Sequence, residues 1–250
     1  MATPLPIRAN AVVPRDEVRG EKLPAFSIEL NTSGTTCLLG SDHATLTAYL
    51  RTMAGIDAIC GGELLLFGES LQRIGQLQWQ QLRRQLGYVA HNAPLLSVLN
   101  GMENLVLPAL YHKTMNRRDA EEAARQLLAA LHCQADLNVL PAYLTPLERT
   151  QLAIARAAIL DPAVLFLDEP YHELDVHEHA DLNDFLRLWA QEHALVISTA
   201  NLRFARQQAD RIIFAGAQKI LYFDSWEAFV RSGDSAVTDH LQRYRDTYHL

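Results

Sequence analysis

The residues best suited to chemistry fall into three stretches. Gly40-Ser-Asp-His-Ala-Thr-Leu-Thr47 is a glycine turn with hydroxyls, set between a short apolar run and a segment of helical spacing. The N–H groups that open such a helix hold anions, phosphate in particular. Asp168-Glu169 is a pair of adjacent carboxylates closing the continuous apolar run Val164–Leu167. His172, His177 and His179 stand among Glu173, Asp175 and Glu178, a metal-like composition. But His177 and His179 are two apart, which on a helix turns them to different faces. That cluster reads as a solvated loop, and no metal site is expected. Cys37, Cys60 and Cys133 are odd in number, widely spaced and without a C-x-x-C pair, which fits a reduced compartment. The cations are lopsided, with nineteen Arg against Lys22, Lys113 and Lys219, so no lysine lies between Lys22 and Lys113.

A chain of 250 residues allows one large domain, or one domain with an insert. Its 49% apolar and 20% charged residues permit a sizeable core and exclude wholesale disorder. A formal charge of −7 argues against a general nucleic-acid binder with a basic face. The opening Met-Ala-Thr-Pro-Leu-Pro-Ile-Arg lacks the apolar region of a signal peptide. No run of about 18 uncharged apolar residues occurs; the richest, Leu152 to Leu167, contains Arg156 and Asp161. The expectation is a cytoplasmic chain that does not itself span a membrane.

The elements that must position these residues alternate. Strands are expected at Ile7–Val13, Ala25–Leu30, Thr35–Leu39, Leu64–Phe67 and Leu86–Val89, with a helix over Thr45–Met53 stopped at Gly55. From about Pro94 to Ile159 the character is helical, with an amphipathic helix at Arg117–Leu131 and an Ala-rich one at Leu147–Leu160. Strand Val164–Leu167, helix His179–Gln191, strand Leu195–Ser198 and a hairpin of Ile212–Phe214 with Ile220–Phe223 follow. Trp226–Val230 and Thr238–Tyr248 close the chain as surface helices. Apolar strands alternating with helices predict an α/β fold with a largely parallel sheet. The reading is a single domain over residues 1–250. Its core covers about 5–90 and 160–225, an inserted helical subdomain about 91–159, and C-terminal helices 226–250.

Strand, glycine turn, helix and a much later apolar strand ending in Asp-Glu is the layout of a P-loop nucleotidase. Asp161-Pro-Ala-Val-Leu-Phe-Leu-Asp-Glu-Pro170 followed by His172-Glu-Leu-Asp175 resembles the Walker B strand and D-loop of ATP-binding-cassette (ABC) ATPases. Gln151-Leu-Ala-Ile-Ala-Arg-Ala157 is similar to the helix after that family's signature motif, and Arg83-Arg-Gln-Leu-Gly-Tyr-Val89 to the strand entering its Q-loop. Met53-Ala-Gly-Ile56 resembles the end of the Walker A helix, and Ala209-Asp-Arg-Ile-Ile213 the segment after the switch histidine. The resemblance runs in order from about residue 25 to 225. It implies a cassette that binds ATP and magnesium, pairs with a second ATPase subunit and docks an integral membrane permease. By the same resemblance Asp168 anchors magnesium through water, Glu169 polarises the attacking water, and Asp175 belongs to the D-loop.

The departures from the family pattern are concentrated at phosphate. The loop motif G-x-x-x-x-G-K-[ST] uses glycines to wrap backbone N–H groups around phosphate and lysine to neutralise it. Gly40 and Thr47 survive, with Ser41 in the loop, but His43 and Thr45 replace glycines and Leu46 replaces the lysine. A charge-assisted hydrogen bond contributes roughly 1.5–3 kcal/mol, so its loss weakens binding about 10–100-fold. His91 stands at the Q-loop glutamine and Ala200 at the switch histidine. The signature is Leu144-Thr-Pro-Leu-Glu148, in which Thr145 keeps a hydroxyl, Pro146 has no N–H to donate and Glu148 brings a negative charge. No aromatic precedes Phe26, so the family's adenine-stacking residue is absent.

Three functions stay open at this stage. In the leading one the chain is a pseudo-ATPase subunit, with weak or absent ATP and magnesium binding. It docks a membrane permease, or an active ATPase partner, in the groove between core and helical subdomain, and a homodimer of it has two dead sites. The others are a working ABC ATPase with a non-consensus loop and a soluble regulator unrelated to transport. Leu99-Asn-Gly-Met-Glu-Asn-Leu-Val-Leu-Pro108 resembles the helical opening of lipid- and lipoprotein-handling ABC ATPases. Phe229 to Leu241 is similar to the tail of the ATPase subunits serving mammalian-cell-entry-domain phospholipid transporters. Both point to lipid transport at the cytoplasmic face of a bacterial inner membrane.

Overall fold

The computed structural model describes residues 5–17, 19–175 and 178–248. The N-terminal part contains β1 (Ile7–Val12), the two-residue strands β2 (Arg15–Asp16) and β3 (Glu21–Lys22), and β4 (Phe26–Leu30). Next come β5 (Gly34–Gly40), α1 (His43–Met53), β6 (Glu63–Leu66), β7 (Glu69–Ser70), α2 (Gln76–Leu82) and β8 (Leu86–Val89). Helices α3 (Gly101–Tyr111), α4 (Arg117–Ala130) and α5 (Pro146–Ala158) form the helical insert. The chain then returns through β9 (Val164–Asp168), α6 (Glu178–Glu192), β10 (Ala194–Ser198), α7 (Leu202–Gln208), β11 (Arg211–Ala215) and β12 (Ile220–Phe223). It ends in α8 (Trp226–Val230) and α9 (Ser235–Tyr248).

The main sheet has the order β12-β11-β5-β10-β9-β8, parallel except for β12. A second, antiparallel sheet runs β4-β1-β6-β7. The central strands are apolar at nearly every position because both faces are covered. Cys37 and Leu39 of β5, Leu165 and Leu167 of β9 and Leu195 and Ile197 of β10 face one core with α3, α4 and α5. The alternate residues Leu38, Val164, Phe166 and Val196 face a second core shared with α1 and the antiparallel sheet. Register sets Leu38 and Asp168 on either side of Ser198, so β9 and β10 end together and β5 runs two residues further, to Gly40, at the same edge.

The α/β class, the mostly parallel sheet, the N-terminal β elements and the helical insert agree with the sequence expectations. Boundaries differ for local reasons. Helix α1 starts at His43 rather than Thr45 because Asp42 caps it, and α5 starts at Pro146, whose missing N–H costs nothing at the first helical position. Helices α2 and α7 went unread because each is seven residues long, too short to show a stripe. The insert is not helical throughout: α3 ends at Tyr111, and residues 131–145 hold only a 3-10 turn at Pro141–Tyr143.

One side chain fastens the insert to the segment entering it. Asn104, fully buried on α3, accepts from the Leu96 N–H at 2.8 Å and reaches the carbonyls of Leu96, Leu99 and Asn100 at 3.0–3.1 Å. It also accepts from Arg156 Nη1 at 3.3 Å. Asn104→Ala strands these groups and is expected to cost about 2–4 kcal/mol in urea denaturation.

Candidate functional site

Strand β5 brings Gly40 to the carboxyl edge of the sheet, beside Ala215 of β11. A Cβ at residue 40 would lie 2.8 Å from the Ala215 carbonyl oxygen and 3.0 Å from Leu46. Glycine is needed there for space, not for a left-handed turn. Ser41 forms the bend that follows, and Asp42, in extended conformation, caps α1. Its carboxylate accepts from the Thr45 N–H at 3.3 Å and the Thr45 hydroxyl at 2.5 Å. Arg19, between β2 and β3, donates to the same carboxylate at 2.6 and 3.1 Å. The Arg19 fork first, and Thr45 second, hold the Asp42 carboxyl down at about 2. Leu46 packs under the loop, against Gly40: it is 1% exposed, in the core that holds Leu38, Tyr49 and Leu50. Arg51 is committed to Asp57, at 2.6 and 2.8 Å.

Thr47 Oγ1 donates to Asp168 Oδ2 at 2.8 Å, and Ser198 Oγ donates to Asp168 Oδ1 at 2.6 Å. Both carboxylate oxygens of this buried residue are therefore engaged. Glu169 follows at φ +48°, a left-handed conformation uncommon for a residue with a Cβ. Its N–H meets the Ser198 carbonyl and hydroxyl oxygens, each at 3.1 Å. Burial, and then the neighbouring Asp168 charge, push the Glu169 carboxyl up to about 7, against hydrogen bonds from Ala200 and Thr199.

Three imidazoles line up beside this pair. His43 and His91 have ring centroids 4.2 Å apart, and His91 and His172 4.6 Å apart. Burial, then His43 and His172, hold the His91 imidazole below its ordinary value. Its Nδ1 is buried without a hydrogen-bond partner among the described residues. His179 instead packs edge-on against Tyr171 at 4.8 Å, and His177 lies outside the described residues. Among the described residues, no three His, Cys, Asp or Glu side chains are grouped so as to hold a metal ion.

Thr145 and Glu148 engage each other at the start of α5. The Thr145 hydroxyl accepts from the Glu148 N–H at 3.2 Å, and the Glu148 carboxylate from the Thr145 N–H at 2.8 Å. Asp175 and Glu178 do the same ahead of α6, at 3.0 and 2.8 Å. Gly40, Ser41, Thr45, Thr47, His91, Asp168 and Glu169 thus belong to one edge of the sheet, with Thr145, Glu148 and Asp175 at helix starts. Sequence reasoning missed Asp42, Arg19 and Ser198. An Asp just ahead of a helical segment is an N-cap signal; nothing local marks Arg19 or Ser198.

A profile described as ABC transporter matches residues 23–172. The chain belongs to the ABC transporter family. By sequence and fold it is an ATP-binding subunit of that family. It is 30% identical over 154 residues to the lipoprotein-releasing system ATP-binding protein LolD of Chromohalobacter salexigens, covering 61% of this chain and 65% of that protein. It is 26% identical over 205 residues to the arginine/ornithine transport ATP-binding protein AotP of Pseudomonas aeruginosa, covering 78% and 81%. In fold it resembles the ATP-binding cassette MJ0796 in a dimeric post-hydrolysis state bound to ADP and Pi. That likeness has a TM-score of 0.77 at 18% identity, over 87% of this chain and 98% of the other. Subunits of the ABC family generally bind ATP and magnesium, dimerise and partner membrane permeases. No helix among the described residues is long and apolar enough to cross a membrane.

Glu169 makes stability depend on pH in a direction fixed by its environment. Between an ordinary 4.5 and about 7 the folded chain keeps a proton that the unfolded chain has lost. Stability from this group is greatest below 4.5 and falls as pH rises to about 7. Glu169→Gln removes that loss and is expected to raise the melting temperature at pH 8, by the equivalent of about 2–3 kcal/mol, with little change at pH 4.5. A variant no more stable than the parent at pH 8 contradicts the burial argument.

Proposed function

We propose that this subunit does not hydrolyse ATP, and that its fold serves to dock an integral membrane permease, an active ABC ATPase partner or both. The observation that carries this reading is the start of α1. There the chain's own Asp42 carboxylate, neutralised by Arg19, takes the N–H group that a phosphate would take, while Leu46 lies in the core. Glu148 likewise puts a carboxylate on the start of α5. Thr47 and Asp168 are suitable ligands for magnesium. The loop itself does not fit a triphosphate: it offers no lysine, an anion at the helix start and the His43 ring where the motif has glycine. No catalytic step is therefore assigned to Glu169, and ATP and magnesium bind weakly or not at all.

The docking site in this reading is the groove between core and helical insert, about 780 Å³ in volume. Residues 1–250 act as one unit, with the core at about 5–90 and 160–225, the helical subdomain at 91–159 and the C-terminal helices beyond 226. The subunit sits on the cytoplasmic face of the inner membrane, held there by the permease, and does not bind nucleic acid. Lipid or lipoprotein is the favoured cargo. LolD is named for lipoprotein release, and the Leu99–Pro108 and Phe229–Leu241 segments point the same way, although AotP is named for amino-acid transport. A working ATPase is the second reading, favoured by the intact Thr47–Asp168–Glu169 set.

Calorimetry with Mg-ATP is expected to show no binding at millimolar nucleotide, and purified protein no turnover. Restoring the loop with Asp42→Ser, His43→Gly, Thr45→Gly and Leu46→Lys together is expected to strengthen Mg-ATP binding at least about tenfold. Turnover by the parent protein that disappears in Glu169→Gln would overturn the proposal.

A further inference from the structure

Three imidazoles meet where the phosphate-binding pattern has none. His43 opens α1, His91 follows β8 and His172 lies in the turn after β9, so three separate segments deliver them. By the motif reading His43 stands at a glycine and His91 at a glutamine. The backbone fixes each position. Asp42 caps the helix that His43 begins, and Asn92 and Ala93 turn the chain at positive φ just past His91. The His172 N–H donates to the Glu169 carbonyl at 3.1 Å. His91 is the middle ring, its centroid 4.2 Å from that of His43 and 4.6 Å from that of His172.

This spacing is close to that of shared metal ligands. Two imidazoles on one zinc ion, each bonded at about 2.0–2.1 Å in tetrahedral geometry, have ring centres about 5 Å apart. The rings here are tilted by 46° and 49°, and as they stand they are not grouped to hold an ion. Each neighbouring pair would open by less than about 1 Å to share one. His43 and His172 are exposed, and each can turn about two side-chain bonds.

The chemistry around the middle ring favours a cation. His91 Nδ1 is buried without a hydrogen-bond partner among the described residues. Burial, then His43 and His172, hold this imidazole below its ordinary value, so it is neutral near pH 7 and keeps a lone pair. Asp168 and Glu173 act on the same ring with the opposite sign, as negative charge nearby does. Imidazole nitrogen suits zinc, copper and nickel, whereas magnesium takes oxygen ligands.

We propose that His43, His91 and His172 bind a divalent ion of the zinc class, the two outer rings turning inward around it and water completing its shell. Thr47 and Asp168 stay bonded to each other and supply charge, not ligands. The inference is independent of the docking reading, and it gives the edge that lost its lysine a ligand of different chemistry.

The test uses the full-length chain with zinc, cobalt and magnesium salts. Calorimetry is expected to show one zinc ion per chain, which excess magnesium does not displace. Cobalt is expected to give the intense visible absorption of a nitrogen-ligated ion and to broaden the NMR signals of the three rings. His91→Gln is expected to lose at least about tenfold in zinc affinity. His43→Ala and His172→Ala are expected to lose less singly and to match His91→Gln together. Those two rings are exposed, so the pair tests the site even where His91→Gln folds poorly. Zinc is expected to raise the melting temperature of the parent and not that of the triple variant. Zinc affinity unchanged in the triple variant places the ion elsewhere, at exposed Cys60 for example, and overturns the inference. Displacement of zinc by equimolar magnesium, or a cobalt complex without the visible band, overturns it too.

Discussion

The first turn of a helix carries N–H groups that its own backbone cannot satisfy, and something must accept from them. In a phosphate-binding loop that acceptor is left to the ligand. Here the chain supplies it: Asp42 serves α1, Asn100 and Glu103 serve α3, and Thr145 and Glu148 serve α5. An internal carboxylate is tethered beside its donors, so its effective concentration matches or exceeds the millimolar supply of a free anion. A phosphate arriving at α1 would have to displace Asp42 from Thr45 and disturb its fork with Arg19. On the proposed reading, a lysine in the loop then has no phosphate to neutralise. An apolar side chain at residue 46 then contributes the roughly 1.5–3 kcal/mol of a buried leucine.

The acidic pair has a structural account beside its chemical one. Asp168 joins Thr47 of α1 to Ser198 of β10, fixing three segments at the carboxyl edge of the sheet. Glu169 is held through its backbone N–H to Ser198 in a left-handed conformation, with a carboxyl half-protonated near neutrality. A carboxyl at about 7 also lies in the range where a general base works, so this environment is compatible with either role. The scaffold keeps the pair whether or not chemistry is done there.

How much of this was legible in the sequence follows from the range of each interaction. Strands β5, β9 and β10 were readable because burial on both faces makes them continuous apolar runs. The amphipathic α4 was readable from Ala123, Leu127 and Leu131 at helical spacing, although the stripe it buries most deeply is the adjacent Ala120, Ala124 and Leu128. Leu46 could be set at the lysine position because no lysine between Lys22 and Lys113 is available to restore the motif; its place in the core comes from the structure. Asp42 falls at a position the motif leaves open, so its role rests on the capping signal of an Asp before a helix. The His43–His91–His172 row and the Asp168–Ser198 bond join residues from separate loops, and no local pattern announces them. The same holds for the groove, whose Arg83, Arg84, Lys113 and Arg156 come from separate segments and are unremarkable one at a time.

The segment after β8 and the helical insert meet in a short polar network. Pro94 and Leu96 follow His91 by a few residues, after Asn92 and Ala93 at positive φ. Pro94 accepts from Arg156, Leu96 exchanges hydrogen bonds with Asn104, and Asn104 accepts from Arg156 in turn. Arg156 is also a wall of the groove. The segment that follows His91 is therefore pinned by a cation that also lines the groove between core and helical insert. Packing of this kind does not depend on a bound nucleotide, because every acceptor in it is a backbone carbonyl or Asn104 itself. A chain whose helix starts are closed by its own carboxylates can thus keep its groove in one shape.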